Sequence, residues 1–299
     1  MKIVITGASG NISKPLAEQL LAEGNQITVI GRSLAHLQPL IDKGATAKTG
    51  SVDDVSFLKQ AFIGADAVYT MVPPNFGATQ WKQYIGQVAQ NYAEAIKENR
   101  IPYVVNLSSV GAHLPDGVGP VSGLFLSEKN LNASGANVLH LRPGYFYTNF
   151  LANIDLVRNH HIIGSNFGAD IKLVLSHPLD IAKAAARALT NQGFKGSSNI
   201  QYLSSDERKP SEIAAVFGNE IGKPQLPWIK FGNEDLLQAL IGAGLPSEIA
   251  GNYVEMGTAL DNGSMLEDYW KNKPVTGAVT LENFAKTFSQ IYAQSEKVA

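Results

Sequence analysis

Short apolar runs alternate with helical patterns over the first 145 residues of the chain. β-branched and aliphatic runs predict strands at 2–6, 27–31, 45–48, 66–72, 102–107 and 137–142. Apolar residues at helical spacing predict helices in the gaps, at 12–24, 34–43, 54–62, 79–99 and 121–134. Strands that alternate with helices are typical of a parallel sheet with helices on both faces. The pattern therefore predicts an α/β, doubly wound fold.

The pattern changes after Arg142-Pro143-Gly144, where an irregular aromatic stretch covers 145–171. Further strands are predicted near 171–175 and 199–203, and the chain is mostly helical from Pro210 onward. We predict a first domain at 1–150, to whose sheet these two later strands return. A smaller, mostly helical domain at 151–299 would form the substrate cleft.

The first predicted strand ends in closely spaced glycines and leads directly into a helix. The spacing is Gly7-x-x-Gly10-x-x-Ser13. Glycines at such a turn let the backbone approach a phosphate, and the unpaired N–H groups and dipole of the helix N-terminus favour an anion. Serine at the third position is small enough for close packing of helix on strand. The segment predicts a dinucleotide-binding loop of the Rossmann type.

The second predicted strand ends where such a fold reads the ribose of its cofactor. NAD-specific sites usually carry Asp or Glu there, about 20 residues beyond the glycine loop. This chain has Arg32 followed by Ser33. A guanidinium suits the 2′-phosphate of NADP through charge-assisted hydrogen bonds. We prefer this interpretation to that of a solvated loop arginine, so the predicted cofactor is NADP(H).

The composition is that of an ordinary globular protein. The chain has 299 residues, 44% of them hydrophobic and 17% charged, with a net charge of −2 and no cysteine. This balance favours neither a nucleic-acid nor a membrane partner, and it excludes cysteine chemistry. We expect a cytoplasmic protein, monomer or homodimer. His160 and His161 are adjacent but have no acidic cluster near them in sequence, so we expect no metal site.

Several motifs together resemble those of a known family. They are the T-G-A-S-G-N-I-S loop, the Arg32-Ser33 pair, and the stretch from Ser127 to Tyr145, which contains S-E-K-N-L, S-G and L-R-P-G-Y. On these motifs the chain resembles the NmrA-like family of the atypical short-chain dehydrogenase/reductase superfamily. Within it the chain is most similar to bacterial NADPH-dependent quinone oxidoreductases of type 2. The family also includes sugar-epimerase relatives and cofactor-sensing regulators without turnover.

The resemblance implies cofactor contacts on the loops that follow the strands. It implies pyrophosphate contacts at Gly7, Ser9, Gly10, Asn11 and Ile12, and 2′-phosphate contacts at Arg32 and Ser33. It implies adenine contacts in the loop Gly50-Ser51-Val52-Asp53, and a position for the inner ribose at Met71, Val72 and Pro73. The nicotinamide would be surrounded by Leu107, Ser108, Ser109, Pro143 and Tyr145.

The chain departs from the superfamily at its acid/base pair. The superfamily uses Tyr-x-x-x-Lys, in which the lysine lowers the phenol pKa so that the tyrosine can pass a proton. Alignment of the helix places Leu124 at the tyrosine position and Glu128 at the lysine position. Lys129, one residue further on, points about 100° away around the helix. The usual pair is therefore missing.

A site without this pair suits an acceptor that needs no proton donor. A hydride turns a quinone into a stabilised anion whose conjugate acid has a phenol-like pKa near 10, so water can protonate it later. We predict an NADPH-dependent oxidoreductase for a small apolar or conjugated acceptor, with Ser108, Tyr145 and Tyr147 as catalytic candidates. Each of the three also has a packing or capping interpretation. A non-catalytic NADP(H)-sensing regulator and a sugar epimerase or isomerase remain open as alternatives.

Overall fold

Seven strands form one sheet in the computed structural model, which describes residues 1–274 and 277–294. Shorter strands form two smaller sheets, one of three strands and one of two. In chain order, the strands of all three sheets are β1 (Lys2–Ile5), β2 (Gln26–Gly31), β3 (Thr46–Thr49), β4 (Ala67–Thr70), β5 (Tyr103–Leu107), β6 (Asn137–Pro143), β7 (Tyr145–Phe146), β8 (Ile163–Ser165), β9 (Leu173–Ser176), β10 (Asn199–Leu203), β11 (Asp206–Arg208) and β12 (Trp228–Lys230). The order across the large sheet is β10-β6-β5-β4-β1-β2-β3, which is doubly wound about β1 and β4. The predicted fold class is confirmed.

Helices connect these strands as the sequence pattern predicts. The helices are α1 (Ser13–Ala22), α2 (Leu34–Ile41), α3 (Val55–Ala61), α4 (Trp81–Glu98), α5 (Val121–Asn132), α6 (Ile154–His160), α7 (Pro178–Asn191), α8 (Pro210–Glu220), α9 (Asn233–Gly242), α10 (Ser247–Asp261), α11 (Glu267–Lys271) and α12 (Leu281–Gln294). Short 3₁₀ helices lie at Tyr147–Asn153 and Ser264–Leu266. Every element predicted in the first 145 residues is present, within two residues at each end.

The chain divides into two compact units that exchange segments. The first unit holds Met1–Pro115, Pro120–Arg142 and Ile181–Gln201. The second holds Asp116–Gly119, Pro143–Asp180 and the described part of Tyr202–Ala299. The chain therefore passes between the units several times along its length.

Tight helix packing fixes one face of the first unit. A Cβ atom on Gly123 of α5 would lie 2.8 Å from the Lys82 carbonyl oxygen of α4. A Cβ on Gly86 would lie 3.0 Å from the Cβ of Leu126. Glycine at both positions lets the backbones of α4 and α5 approach closely. This packing fixes the position of α5, the helix that carries Glu128.

The two later strands predicted to join the large sheet behave differently. The N–H of Val138 bonds to the Gly196 carbonyl, and the N–H of Gly144 to that of Leu203, so β10 runs parallel to β6. The strand predicted near 171–175 does not join this sheet. It forms β9, which pairs with β7 and β11 in a separate three-stranded sheet, because Leu173–Leu175 align with Asp206–Arg208.

Aromatic side chains build the core of the second unit. The rings of Phe217 and Phe288 stack with centroids 4.4 Å apart, and Phe150 meets Phe217 at 5.6 Å. Phe167 stacks on Trp228 at 5.2 Å. These side chains are buried, and such ring pairs add stability beyond the area they bury.

Candidate functional site

The glycine loop after β1 has the shape that a phosphate requires. Gly7 adopts a φ of +61°, and a Cβ atom there would lie 2.3 Å from the sulfur of Met71. The N–H of Gly10 bonds to the Gly7 carbonyl at 2.9 Å and closes the turn. A Cβ on Gly10 would approach only the Gly7 carbonyl, at 3.2 Å. Gly7 is therefore demanded by the turn itself, whereas Gly10 keeps open the space above it.

The N-terminus of α1 follows this loop and carries no side-chain cap. Its N-cap residue is Ile12, whose side chain cannot accept a hydrogen bond from the first turn. A bare helix N-terminus next to a glycine turn offers N–H groups and a positive dipole end to an anion. Ser9 and Asn11 are exposed beside it, and Ile12 is buried. These residues fit the pyrophosphate of a dinucleotide.

Serine at the third position of the motif has a structural partner. Ser13 is buried, and so is Tyr69 of β4. Burial raises the pKa of the Tyr69 hydroxyl, and nearby Ser13 opposes this rise. The departure from glycine or alanine at this position is thus matched by a neighbouring polar group.

The loops after β1, β2, β3 and β4 lie side by side because these strands are adjacent in the sheet. The N–H of Ala8 bonds to the Ile30 carbonyl, and the N–H of Gly50 to that of Gly31. The N–H of Met71 bonds to the Thr6 hydroxyl at 3.0 Å. Met71, Val72 and Pro73 are all half-buried there. The structure thus brings the predicted contacts from Gly7 to Pro73 together at one sheet edge.

Arg32 and Ser33 stand at the end of β2 with their polar groups available. The Arg32 side chain is exposed. Ser33 is the N-cap of α2, but its hydroxyl makes no capping hydrogen bond. A guanidinium, a hydroxyl and a helix N-terminus together are suited to a phosphate group.

One group near Arg32 was not predicted as part of the site. Burial and the nearby Asp53 charge raise the pKa of Tyr84, on α4, to about 12, while nearby Arg32 opposes the rise. Asp53 also accepts a hydrogen bond from the Ser51 hydroxyl at 2.9 Å. Of the Asp53-Asp54 pair only Asp54 caps α3, by accepting the N–H of Phe57. Tyr84 lay on a helical apolar face, which hid this polar contact.

A buried ion pair holds Glu128, the residue that the sequence alignment places at the lysine position. The Glu128 carboxylate accepts hydrogen bonds from Arg142 Nε at 2.9 Å and from a terminal guanidinium nitrogen at 2.6 Å. The side chains are 4% exposed for Arg142 and 9% for Glu128. Glu128 also accepts the Ser108 hydroxyl at 2.6 Å. The Glu128 carboxylate therefore accepts three hydrogen bonds from side chains of the first unit.

A second buried polar chain crosses the sheet beside this pair. The Thr70 hydroxyl donates to Asn106 Oδ1 at 3.0 Å, and Asn106 Nδ2 lies 3.1 Å from His140 Nδ1. His140 Nε2 lies 2.9 Å from Asn132 Oδ1. The amide donates to Nδ1 and the Asn132 oxygen accepts from Nε2, so the network assigns a neutral imidazole with its proton on Nε2.

This row of buried hydrogen bonds predicts that the folded protein loses stability in acid. Burial lowers the pKa of His140 from 6.5 to about 4; nearby Arg142 also lowers it, while Glu128 opposes the shift. Because the folded pKa lies below the unfolded one, the stability from neutral His140 is complete above pH 6.5 and is lost as the pH falls towards 4. We expect a loss of about 3 kcal/mol over this window. Urea unfolding at several pH values should show it, and His140→Gln should remove the His140 contribution. An unchanged pH slope in that variant would contradict the assignment.

The remaining predicted contacts divide between the units. Leu107 is half-buried and Ser108 is buried in the first unit, at the end of β5. Pro143 and Tyr145 belong to the second unit. Tyr145 is half-buried, and burial raises the pKa of its phenol, an effect that nearby Tyr253 reinforces and Asn149 opposes. Tyr145 is therefore a protonated phenol at neutral pH.

Tyr147 serves the core of the second unit. It is buried, its hydroxyl donates to the Val279 carbonyl at 3.1 Å, and its ring stacks on Phe284 at 5.3 Å. Phe150 is also buried. Both side chains therefore pack inward, and Tyr147 has the packing role that the sequence left open for it.

Two further findings concern the described part of the chain. No three histidine, aspartate or glutamate side chains converge as metal ligands would within residues 1–274 and 277–294. Among these residues no helix combines the length and apolarity that crossing a bilayer requires.

Sequence comparison bears directly on the glycine-loop site. Residues 7–192, more than half of the chain, match the profile of a family described as NAD(P)H-binding. The chain belongs to the NAD(P)H-binding family. Membership confirms the predicted family resemblance and the nicotinamide dinucleotide cofactor. A search of curated protein sequences finds no match to the chain.

Solved structures share the fold over almost the entire chain. The quinone oxidoreductase QOR2 of Escherichia coli, complexed with NADPH, has a TM-score of 0.80 and 22% identity over 95% of this chain and 99% of that one. Triphenylmethane reductase of Citrobacter sp., complexed with NADP(H), has a TM-score of 0.77 and 18% identity over 97% and 100%. NmrA, a negative transcriptional regulator, has a TM-score of 0.77 and 16% identity over 100% and 98%. Reductases and a regulator thus share this architecture.

Proposed function

We propose that this protein is an NADPH-dependent reductase that transfers a hydride to a small conjugated acceptor such as a quinone. The observation that carries the proposal is the arrangement at the superfamily's acid/base positions. Leu124 has no proton to give, and Glu128 is bound by Arg142 and Ser108. A reductase built this way suits acceptors that need no proton from the enzyme.

The cofactor would be held by the loops after β1 to β5. Gly7, Ser9, Gly10, Asn11 and Ile12 would bind the pyrophosphate, Ser51 and Val52 the adenine side, and Met71, Val72 and Pro73 the inner ribose. Leu107 and Ser108, at the end of β5, would contact the nicotinamide. The open helix N-terminus and the space above Gly10 support this assignment. When bound, NADPH supplies the hydride.

Arg32 would choose between the two nicotinamide cofactors. Charge-assisted hydrogen bonds contribute roughly 1.5–3 kcal/mol, so its contact with a 2′-phosphate predicts at least about tenfold tighter binding of NADPH than of NADH. Arg32→Glu should weaken NADPH binding and leave NADH binding nearly unchanged. Fluorescence titration of both cofactors measures the ratio. Equal affinities in the unmodified protein would show that Arg32 does not contact the phosphate.

The chemistry of the acceptor follows from the missing proton donor. Hydride transfer to a simple ketone forms an alkoxide, a strong base that needs a nearby acid. A quinone that gains a hydride becomes a stabilised anion, which water can protonate. Water is the source of that proton, because burial raises the pKa of the Tyr145 phenol and makes it a poor acid.

An NADPH oxidation assay with a set of quinones tests whether the protein turns over at all. We expect repeated turnover, with the acceptor consumed in proportion to NADPH. The lost acid/base pair also favours a second candidate, a protein that senses NADP(H) without turnover. Tight NADPH binding with no oxidation by any acceptor would overturn the reductase proposal in favour of that candidate. Turnover of a nucleotide sugar without net NADPH loss would instead identify an epimerase.

A further inference from the structure

The buried ion pair sets the hydrogen-bonding direction of Ser108. Arg142 is always charged and donates to both oxygens of the Glu128 carboxylate, and a carboxylate can only accept hydrogen bonds. The 2.6 Å contact between Ser108 Oγ and Glu128 Oε1 must therefore use the serine's own proton. A serine hydroxyl has one proton and two lone pairs. Only the lone pairs of Ser108 Oγ are left.

The backbone N–H of Ser108 is also used in a hydrogen bond within the first unit. Its N–H donates to the Leu141 carbonyl of β6 at 2.8 Å. Both donors of the residue are therefore used inside the first unit. Ser108 follows the last residue of β5, at the sheet edge where an α/β fold binds its ligand. A ligand that hydrogen-bonds to the Ser108 side chain must bring the donor itself.

We propose that Glu128 is a positioning residue that fixes the Ser108 hydroxyl as a hydrogen-bond acceptor for the carboxamide N–H of the nicotinamide ring. The inference rests on the proposed function, because it takes NADPH to bind at this edge. It adds a specificity-determining contact within the cofactor site. At the position that alignment gives to the lysine of Tyr-x-x-x-Lys, Glu128 would thus act on the cofactor through a serine instead of handling a proton.

The choice of the carboxamide follows from the chemistry of the two ligands. The oxygen of a quinone accepts hydrogen bonds, and it becomes negative as hydride arrives, so an acceptor-only serine beside a carboxylate would repel it. The carboxamide NH₂ is the neutral donor that a nicotinamide ring carries. Its contact with Ser108 would fix the ring orientation, and thereby the face from which hydride leaves.

A cofactor analogue separates this contact from the rest of the site. In 3-acetylpyridine adenine dinucleotide phosphate a methyl ketone replaces the carboxamide. The analogue keeps every phosphate, ribose and adenine group but has no N–H donor on its pyridine ring. We expect the unmodified protein to bind oxidised NADP at least about tenfold more tightly than this analogue, as for a hydrogen bond to a charge-assisted acceptor. Ser108→Ala should bring the two dissociation constants to within about threefold, because neither ligand then has a partner.

Ser127→Ala is the matched control. Ser127 is buried on the same helix as Glu128, and its hydroxyl makes no hydrogen bond within the described part of the chain. This variant should keep the full preference for the carboxamide. Ser108→Thr retains a hydroxyl with the same proton to donate, so it should keep the preference as well.

Glu128→Gln tests the positioning role itself. A glutamine amide can donate to Ser108, which frees the serine proton and lowers the preference towards the Ser108→Ala value. If that variant does not fold, Ser108→Ala and Ser108→Thr decide the question by themselves. A Ser108→Ala protein that still prefers the carboxamide tenfold would overturn the inference, and so would an unmodified protein without the preference. Failure of quinone turnover in a protein that keeps this preference would overturn only the proposed function.

Discussion

Replacing Glu128 with alanine is expected to lower the free energy of unfolding by about 3–5 kcal/mol. The substitution would leave the Arg142 guanidinium, which is 4% exposed, without its anionic partner in the core of the first unit. Breaking a buried pair costs much more than the pair itself contributes, because the remaining charge stays desolvated. Urea unfolding followed by circular dichroism measures the loss.

Two comparison variants isolate the burial effect. Glu18→Ala removes a partner from the exposed Lys43–Glu18 pair, whose side chains are 53% and 31% exposed, and should change stability by less than about 1 kcal/mol. Replacing both members of the buried pair, as Glu128→Leu with Arg142→Met, should recover most of the loss. A Glu128→Ala protein as stable as Glu18→Ala would show that the pair is not buried as described.

Valine at Gly10 is expected to weaken NADPH binding by about 100-fold or more while the protein stays folded. The β-carbon of a residue at this position would approach only the Gly7 carbonyl oxygen, at 3.2 Å, so the turn must shift slightly but meets no other atom. The rest of the side chain would fill the space that the pyrophosphate needs. The loss of two charge-assisted hydrogen bonds, at roughly 1.5–3 kcal/mol each, accounts for the expected effect. Calorimetric titration with NADPH measures the loss of binding, and thermal unfolding without cofactor shows whether the protein stays folded.

Gly7→Ala, unlike Gly10→Val, should lower the stability of the fold itself. Its φ of +61° strains any residue with a side chain, and the flexible Met71 side chain would also have to move. We expect a stability loss of at least about 1 kcal/mol, before cofactor is added. If Gly10→Val binds NADPH normally, the pyrophosphate lies elsewhere and the cofactor site must be placed again.

The sequence predicts the large sheet well because its signals are local. Each strand is a short apolar run followed by turn residues, and each helix buries one face, as α4 does with Trp81, Val88 and Tyr92. The strands β7, β8, β11 and β12 were not predicted. They are two or three residues long, and they form only because distant segments meet, as Trp228 does with Ile163.

The contrast between local signals and contacts of distant segments also applies to the candidate site. The glycine loop and Arg32 could be located because each lies at a fixed offset from a predicted strand. The contact of Glu128 with Arg142 and Ser108 could not, since it joins a helix to the ends of two strands. Alignment identified Glu128 only as the place of a missing lysine. The structure gives Glu128 two hydrogen-bond partners that no spacing within the sequence encodes.

The most direct test of the account compares a quinone with a saturated ketone of similar size under the same conditions. Purified protein is given NADPH with 1,4-benzoquinone or with cyclohexanone, and NADPH consumption is corrected for the rate without protein. The account predicts catalysed reduction of the quinone and no catalysed reduction of the ketone, since a positioned general acid, which typically contributes about 10²–10⁴-fold, is missing. Catalysed reduction of cyclohexanone would contradict the account, because it requires a proton donor that the Glu128–Arg142 arrangement does not supply.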